Sequence, residues 1–135
     1  MSTSDWPKFL TEPREIHELF DRPPVLSQCD LFYLHIDERG TSVTLGFDTK
    51  HLPDHPLPEW TKGEFNAFEF FLTFSPVTHL NISGWQSSLS KQTRISRSLE
   101  GNVSVTITGI DEDLSFQAQS AFLTRARVYL ASRSE

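Results

Sequence analysis

The stretch Ala67-Phe68-Glu69-Phe70-Phe71-Leu72-Thr73-Phe74 carries a large apolar side chain at every second position. Successive side chains of a β-strand point to opposite faces, so Phe68, Phe70, Leu72 and Phe74 share one face, a spacing that an amphipathic helix with its three- to four-residue repeat does not produce. The opposing residues Ala67, Glu69, Phe71 and Thr73 are only partly polar, so the strand reads as central and covered on both sides. Residues 29–37 read the same way, with Phe32, Leu34 and Ile36 opposed by Cys29, Leu31, Tyr33 and His35. Two further segments alternate more cleanly. Val43, Leu45 and Phe47 stand against Ser42, Thr44, Gly46 and Asp48, and Val103, Val105 and Ile107 against Ser104, Thr106 and Thr108. Each reads as a strand with one apolar and one wet face.

The connections are equally legible. Asp37-Glu38-Arg39-Gly40 reads as a tight hairpin turn, and Ser75-Pro76 as a break between the Phe-rich strand and a segment Val77 to Trp85. Leu114 to Ala118 and Thr124 to Leu130 read as two last strands. A helix is expected only from about Pro13 to Phe20, with Pro13 at its first turn, Ile16, Leu19 and Phe20 on one stripe, and Pro23-Pro24 beyond its end. The proline-rich segment Thr49 to Glu64 and the Ser-rich segment Gln86 to Asn102 carry no regular pattern, apart from a short edge strand around Thr93 to Arg97. The sum is an α+β fold, mainly an antiparallel β sheet of about six to eight strands with a short N-terminal helix.

At 135 residues the chain has the length of one domain with one core, taken here as 1–135. No run approaches the roughly 18 apolar residues of a membrane span, and the first residues lack the basic and apolar regions of an export signal, so a cytoplasmic location is expected. Asn81-Ile82-Ser83 and Asn102-Val103-Ser104 are then chance matches to the glycosylation pattern. The lone Cys29 forms no internal disulfide and reads as a small buried side chain. Eighteen acids against twelve bases give a net charge of −6. The excess is uneven, with thirteen acids and six bases in residues 1–69 but five acids and six bases in residues 70–135. Such a field repels phosphate backbones and anionic lipid, so neither nucleic acid nor membrane is expected as a partner. A basic protein is compatible with it, although solubility alone accounts for mild acidity.

No constellation of catalytic residues emerges. His51 and His55 have the spacing of two zinc ligands on a helix, but Pro53 and Pro56 remove that helix and leave a polar loop, so no metal and no cofactor are expected. Ser83 and His79 are four apart in a strand, roughly 13 Å, which is too far for a nucleophile and its base. No nucleophile elbow, phosphate-binding loop or dinucleotide fingerprint is present. Trp6, Trp60 and Trp85 serve either as binding anchors or, as is more usual in a domain of this size, as core and sheet-edge cover. Asp111-Glu112-Asp113 reads as a solvated turn.

These residues, in order, resemble the immunity protein 50 family of bacterial polymorphic toxin systems. The likeness runs through Pro24-x-Leu26, Leu34-His35-Ile36-Asp37, Gly40, Val43-Thr44-Leu45-x-Phe47-Asp48, Pro56-x-Pro58-x-Trp60, Gly63 with Asn66, the Phe70 to Phe74 strand and Leu80-x-Ile82-x-Gly84-Trp85. The resemblance implies a non-enzymatic protein that binds and neutralises a cognate toxin. A different class, an intracellular β-barrel-like binder of a small apolar ligand, would use the same wealth of Phe residues. For the toxin contact the physical reading offers one surface. If the strands form an up-and-down meander from residue 29, the loop 49–64 and the turn 110–113 emerge at one end. Asp54, Glu59 and Glu64 would then cluster with Asp111, Glu112 and Asp113 around Trp60, a surface suited to a basic toxin.

Overall fold

A computed structural model describes residues 3–86 and 91–132. Its elements are β1 (Asp30–Asp37), β2 (Ser42–Thr49), β3 (Ala67–Ser83), β4 (Gln92–Arg97), β5 (Val103–Gly109) and β6 (Glu112–Tyr129), with one α-helix, α1 (Arg14–Leu19). Short 3-10 segments at Thr3–Phe9, Leu26–Gln28 and Pro58–Lys62 complete the described chain. All strand pairs are antiparallel in one six-stranded sheet of order β1-β2-β3-β6-β5-β4. This is the expected α+β architecture, mostly β.

The spine of the sheet is the ribbon formed by β3 and β6, whose pairing runs from Ala67↔Tyr129 to Ser83↔Asp113. Two elements are longer than the sequence pattern suggested. Ser75-Pro76 does not end the Phe-rich strand: only Pro76 itself is left out of the pairing to β6, which continues in the same register from Ser75↔Ser120 to Val77↔Ala118, and the Val77 N–H donates to the Thr41 carbonyl at 2.7 Å on the other flank. The two expected C-terminal strands are one, since the polar residues Gln119 and Ser120 between them fall within the continuous pairing to β3. The order is not a simple meander either. β1-β2 lies beside the first half of β3, and β4-β5 beside the first half of β6, on opposite flanks and at opposite ends of the ribbon.

One face of this sheet holds the core. Phe68, Phe70, Leu72 and Phe74 from β3 meet Val43, Leu45 and Phe47 from β2 and Val103, Val105 and Ile107 from β5, all buried. The N-terminal segment covers them. Trp6 stacks on Phe70 with ring centroids 5.1 Å apart, and its indole N–H donates to the Pro24 carbonyl at 2.8 Å, so the large ring is buried with its polar atom satisfied. Ile16, Leu19 and Phe20 of the α1 region pack beside it, Phe20 edge-on to Phe68. The Thr11 N–H donates to the Ala121 carbonyl at 2.8 Å, on the flank of β6 that β5 no longer reaches. The edge strand β4 contacts the segments Thr3–Phe9 and Leu26–Gln28, so the sheet curls around the N-terminal cover. The interior is therefore filled by Trp6, Phe9, Leu10, Ile16 and their partners; the Phe residues build a packed core, which removes the observation that had suggested a ligand-holding barrel. Cys29 lies in this core, and its burial pushes the thiol up to about 12.

The opposite face corrects two expectations. Neither β1 nor β3 is covered twice among the described residues, and β1 is an edge strand. Its alternation is interrupted by a bulge between Leu31 and Tyr33. Leu31 therefore joins Leu34 on the core side, while Phe32 and Tyr33 both stand on the open face.

Phe70 and Leu72 occupy the centre of this core with no exposed surface. Replacing either by Ala is expected to cost about 2–5 kcal/mol in urea unfolding, from lost transfer energy and the cavity left behind. A loss below about 1 kcal/mol for both would contradict their central position.

Candidate partner-binding surface

The seven residues singled out by sequence fall into two separate groups. The loop 49–64 leaves the sheet at the start of β3, whereas Asp113 pairs with Ser83 at its far end. Fifteen residues of strand separate Phe68 from Ser83, so the two groups lie up to roughly 50 Å apart along β3. The expected single cluster is not formed, because β6 rather than β4 lies beside β3, which carries the turn between β5 and β6 to the other end of the ribbon.

Within the loop group, Asp54 accepts the Asp21 N–H at 2.8 Å, and the His55 N–H donates to the Leu19 carbonyl at 3.0 Å. These bonds fasten the loop to the end of α1. His55 Nε2 lies 2.8 Å from the Asp21 carboxylate, while the His51 ring meets Phe20 edge-on, so the two histidines face different neighbours. Trp60 is half-buried and packs edge-on against Phe68 at 6.3 Å, and Glu59 and Glu64 are exposed. In the turn group, Asp111 takes a positive φ of 58°, a conformation Asp tolerates better than most residues, and Asp113 is exposed. Glu112 departs from the expected solvated turn. It is 6% exposed, accepts the Gln86 N–H at 3.0 Å and lies 3.6 Å from Lys91 Nζ, so its charge is committed to joining the ends of β3, β4 and β6.

The feature that sequence reasoning missed is on the open face of the sheet. Four positions form one row across four strands: Tyr33 on β1, Gly46 on β2, Phe71 on β3 and Arg125 on β6. Tyr33 and Phe71 meet edge to face at 5.4 Å above Gly46, and Phe32 reaches Phe71 at 5.6 Å. A Cβ on Gly46 would lie 2.7 Å from the Phe71 ring and 2.8 Å from Tyr33 Cβ, so the close approach of the two aromatics requires Gly there. Two β-bulges assemble the group. One turns Phe32 to the open face beside Tyr33, and the other, opposite Phe71 and Leu72, turns both Thr124 and Arg125 to that face. A bulge inserts one residue and re-aims its neighbours, which is why a strict two-residue alternation assigned Phe32 to the wrong side. The Arg125 guanidinium lies 5.8 Å from the centre of the Phe71 ring. Phe32, Tyr33 and Phe122 remain 44%, 41% and 38% exposed.

The next row toward the sheet end is internally neutralised. Arg127 bonds Glu69, and the Tyr129 hydroxyl donates to Asp48 at 2.6 Å; burial and this bond push the Tyr129 hydroxyl up to about 12. On the other side, the Thr44, Thr73 and Thr124 hydroxyls form a chain with spacings of 2.9 and 3.0 Å. No helix among the described residues is long and apolar enough to cross a membrane, and no group of three or more His, Cys, Asp or Glu residues among them is placed to hold a metal.

The chain is thus a mostly β protein with a single sheet, covered on one face and presenting an aromatic patch beside a cation on the other. The family described as Immunity protein 50 matches residues 12–129, and the chain belongs to that family. No curated protein and no solved structure matches it.

Two outcomes follow from this geometry. Gly46→Ala is expected to lose about 1–3 kcal/mol through overpacking against Tyr33 and Phe71, whereas Gly63→Ala, whose Cβ meets nothing within 4 Å, should be neutral or slightly stabilising. Equal stability of both variants by urea unfolding would refute the close-packed row. For His55, the hydrogen bond and charge of Asp21 raise the imidazole above its ordinary 6.5. A raised folded-state value means that this contact stabilises the fold below about pH 6.5 and that the contribution is lost as pH rises through the folded-state midpoint. NMR titration should show a His55 midpoint above 6.5 that returns toward 6.5 in Asp21→Asn.

Proposed function

We propose that this chain is an immunity protein that acts in the cytoplasm of the producing cell, binding and neutralising a cognate bacterial toxin without chemistry of its own. Family membership over residues 12–129 carries the reading. Two physical features support a binder: the open sheet face offers contact area on a rigid scaffold, and the core is filled by the protein's own side chains. The net charge of −6 favours a toxin with a basic surface and disfavours nucleic acid and membranes.

The acids divide the electrostatic work by position. Asp54, Glu59 and Glu64, on the loop that carries the half-buried Trp60, supply steering charge at the loop end of the sheet. Asp111 and Asp113 add to the field from the far end, while Glu112 serves the fold. Long-range attraction of this kind accelerates encounter more than it tightens the final complex.

Co-expression with the toxin encoded beside it should restore growth, and the purified pair should form a stoichiometric complex whose association slows as salt rises. Lys at Asp54, Glu59 and Glu64 together should lower the association rate about 3- to 10-fold at low salt and flatten its salt dependence. Absence of both protection and complex formation would overturn the immunity reading. Unchanged kinetics in the triple variant would place the steering charge elsewhere.

A further inference from the structure

We infer that the row Tyr33–Gly46–Phe71–Arg125, flanked by Phe32, is the anchor of the protein contact, and that it takes an apolar side chain beside a carboxylate on the toxin surface. The inference rests on the immunity reading and specifies where the complex is held.

Three observations converge on this row. The β1 bulge sets Phe32 on the open face beside Tyr33, the β6 bulge sets Arg125 there, and Gly46 admits the Tyr33–Phe71 contact; sheet devices of that kind re-aim side chains where contact is made. Covering Gly46 accounts for Tyr33 and Phe71, but not for Phe32, which is 44% exposed and lies outside that contact. Arg125, exposed beside Phe71, makes no ion pair among the described residues, although Arg127 two positions along is paired with Glu69. Aromatic and arginine side chains in a desolvated patch are the groups that dominate protein contacts, and a guanidinium is matched by a carboxylate through paired hydrogen bonds.

Charge selects the occupant. A second copy seated face to face with its two-fold axis along this row would bring Arg125 toward its own equivalent, an unfavourable like-charge contact, and with the axis along the strands Arg125 would meet Tyr33, so neither arrangement supplies the carboxylate a guanidinium takes. A nucleic acid strand would find aromatic rings but little phosphate neutralisation, since Arg125 is the row's one cation and the chain carries a net charge of −6. Asp30, the exposed acid of the neighbouring row, lies on β1, three strand spacings or roughly 14 Å from β6. The nearer acids of that row, Glu69 and Asp48, are bonded to Arg127 and to the Tyr129 hydroxyl, so a carboxylate reaching Arg125 meets no unpartnered acid beside it. Steering and anchoring act at different ranges: the overall negative field draws in a basic toxin, and the local cation fixes one acid within the contact.

The test measures association and dissociation of the toxin encoded beside the gene with wild type, Phe32→Ser, Arg125→Glu and Phe71→Ser. Phe32 and Arg125 are exposed, so their variants should keep wild-type melting and circular dichroism, which separates a binding effect from unfolding if Phe71→Ser destabilises the sheet. Phe32→Ser and Arg125→Glu should each weaken the complex about 30-fold or more, mainly through faster dissociation. Affinities within about 3-fold of wild type for both, with wild type binding normally, overturn the anchor and leave the immunity reading intact. Failure of wild type to bind or protect overturns the immunity reading and the anchor with it. A homodimer dispersed by Arg125→Glu or Phe32→Ser, or binding of a single-stranded oligonucleotide lost in those variants, would assign the face to a different occupant and also overturn the proposal.

Discussion

The pairing of β3 with β6 is the constraint on which the remaining structure depends. A strand that matches its neighbour from Ala67↔Tyr129 to Ser83↔Asp113 is far longer than either flanking hairpin, so each hairpin contacts only part of the ribbon. The β1-β2 and β4-β5 units therefore attach diagonally, one to each outer flank. Sheets twist with a fixed hand, and a long ribbon accumulates that twist, which lets the β4 edge curl back to meet the N-terminal segment. Trp6 closes the arrangement. Its ring lies on Phe70 at the middle of β3, while the indole N–H is held by Pro24, so one side chain joins the chain's first described turn to its central strand and to the segment entering β1.

The parts of this fold written in local pattern were legible in sequence, and the parts that depend on register were not. Phe68, Phe70, Leu72 and Phe74 face the core as their spacing demands, because no bulge interrupts β3 before Phe71. The turn after Asp37 is also present, although the positive φ falls on Thr41 rather than Gly40; the Gly40 N–H is instead held by the Asp37 side chain at 3.2 Å. Helix α1 lies within its expected span, whereas the turn carrying Trp6 had no periodic signal because it is a 3-10 segment containing Pro7. Pro76 and the polar pair Gln119 and Ser120 look like breaks when each segment is read alone. They become tolerable only within the pairing of β3 with β6, whose register runs unchanged on either side of Pro76. The same limitation hid the aromatic row of the open face, since its four residues come from four strands and a single inserted residue in β1 decides where Phe32 points.

Buried and exposed charge have different consequences here, and sequence proximity conceals which is which. Asp111, Glu112 and Asp113 are consecutive, yet the middle carboxylate is sequestered against Gln86 and Lys91 while its neighbours face solvent. An acid buried with a hydrogen-bond donor and a cation helps fix the geometry at the end of the ribbon, and losing one partner would leave an uncompensated charge. Exposed acids contribute mainly to the long-range field. The fold thus separates structural electrostatics from the charge available to a partner, even within three residues.

Gly46 shows how the open face combines these demands. In the middle of a strand glycine weakens the local backbone, since it loses more conformational freedom on folding than other residues and offers no side chain to pack. Tyr33 and Phe71 close over it from the two neighbouring strands, and their contact with each other replaces the packing that a side chain at Gly46 would have supplied. The substitution has a geometric effect as well as an energetic one. With no Cβ between them, the two rings lie low across β2 and hold each other in a fixed orientation, instead of standing apart as independent exposed side chains. Rings fixed in advance lose little further freedom when a partner arrives, and that reduction in ordering cost is what makes a small aromatic patch an effective anchor.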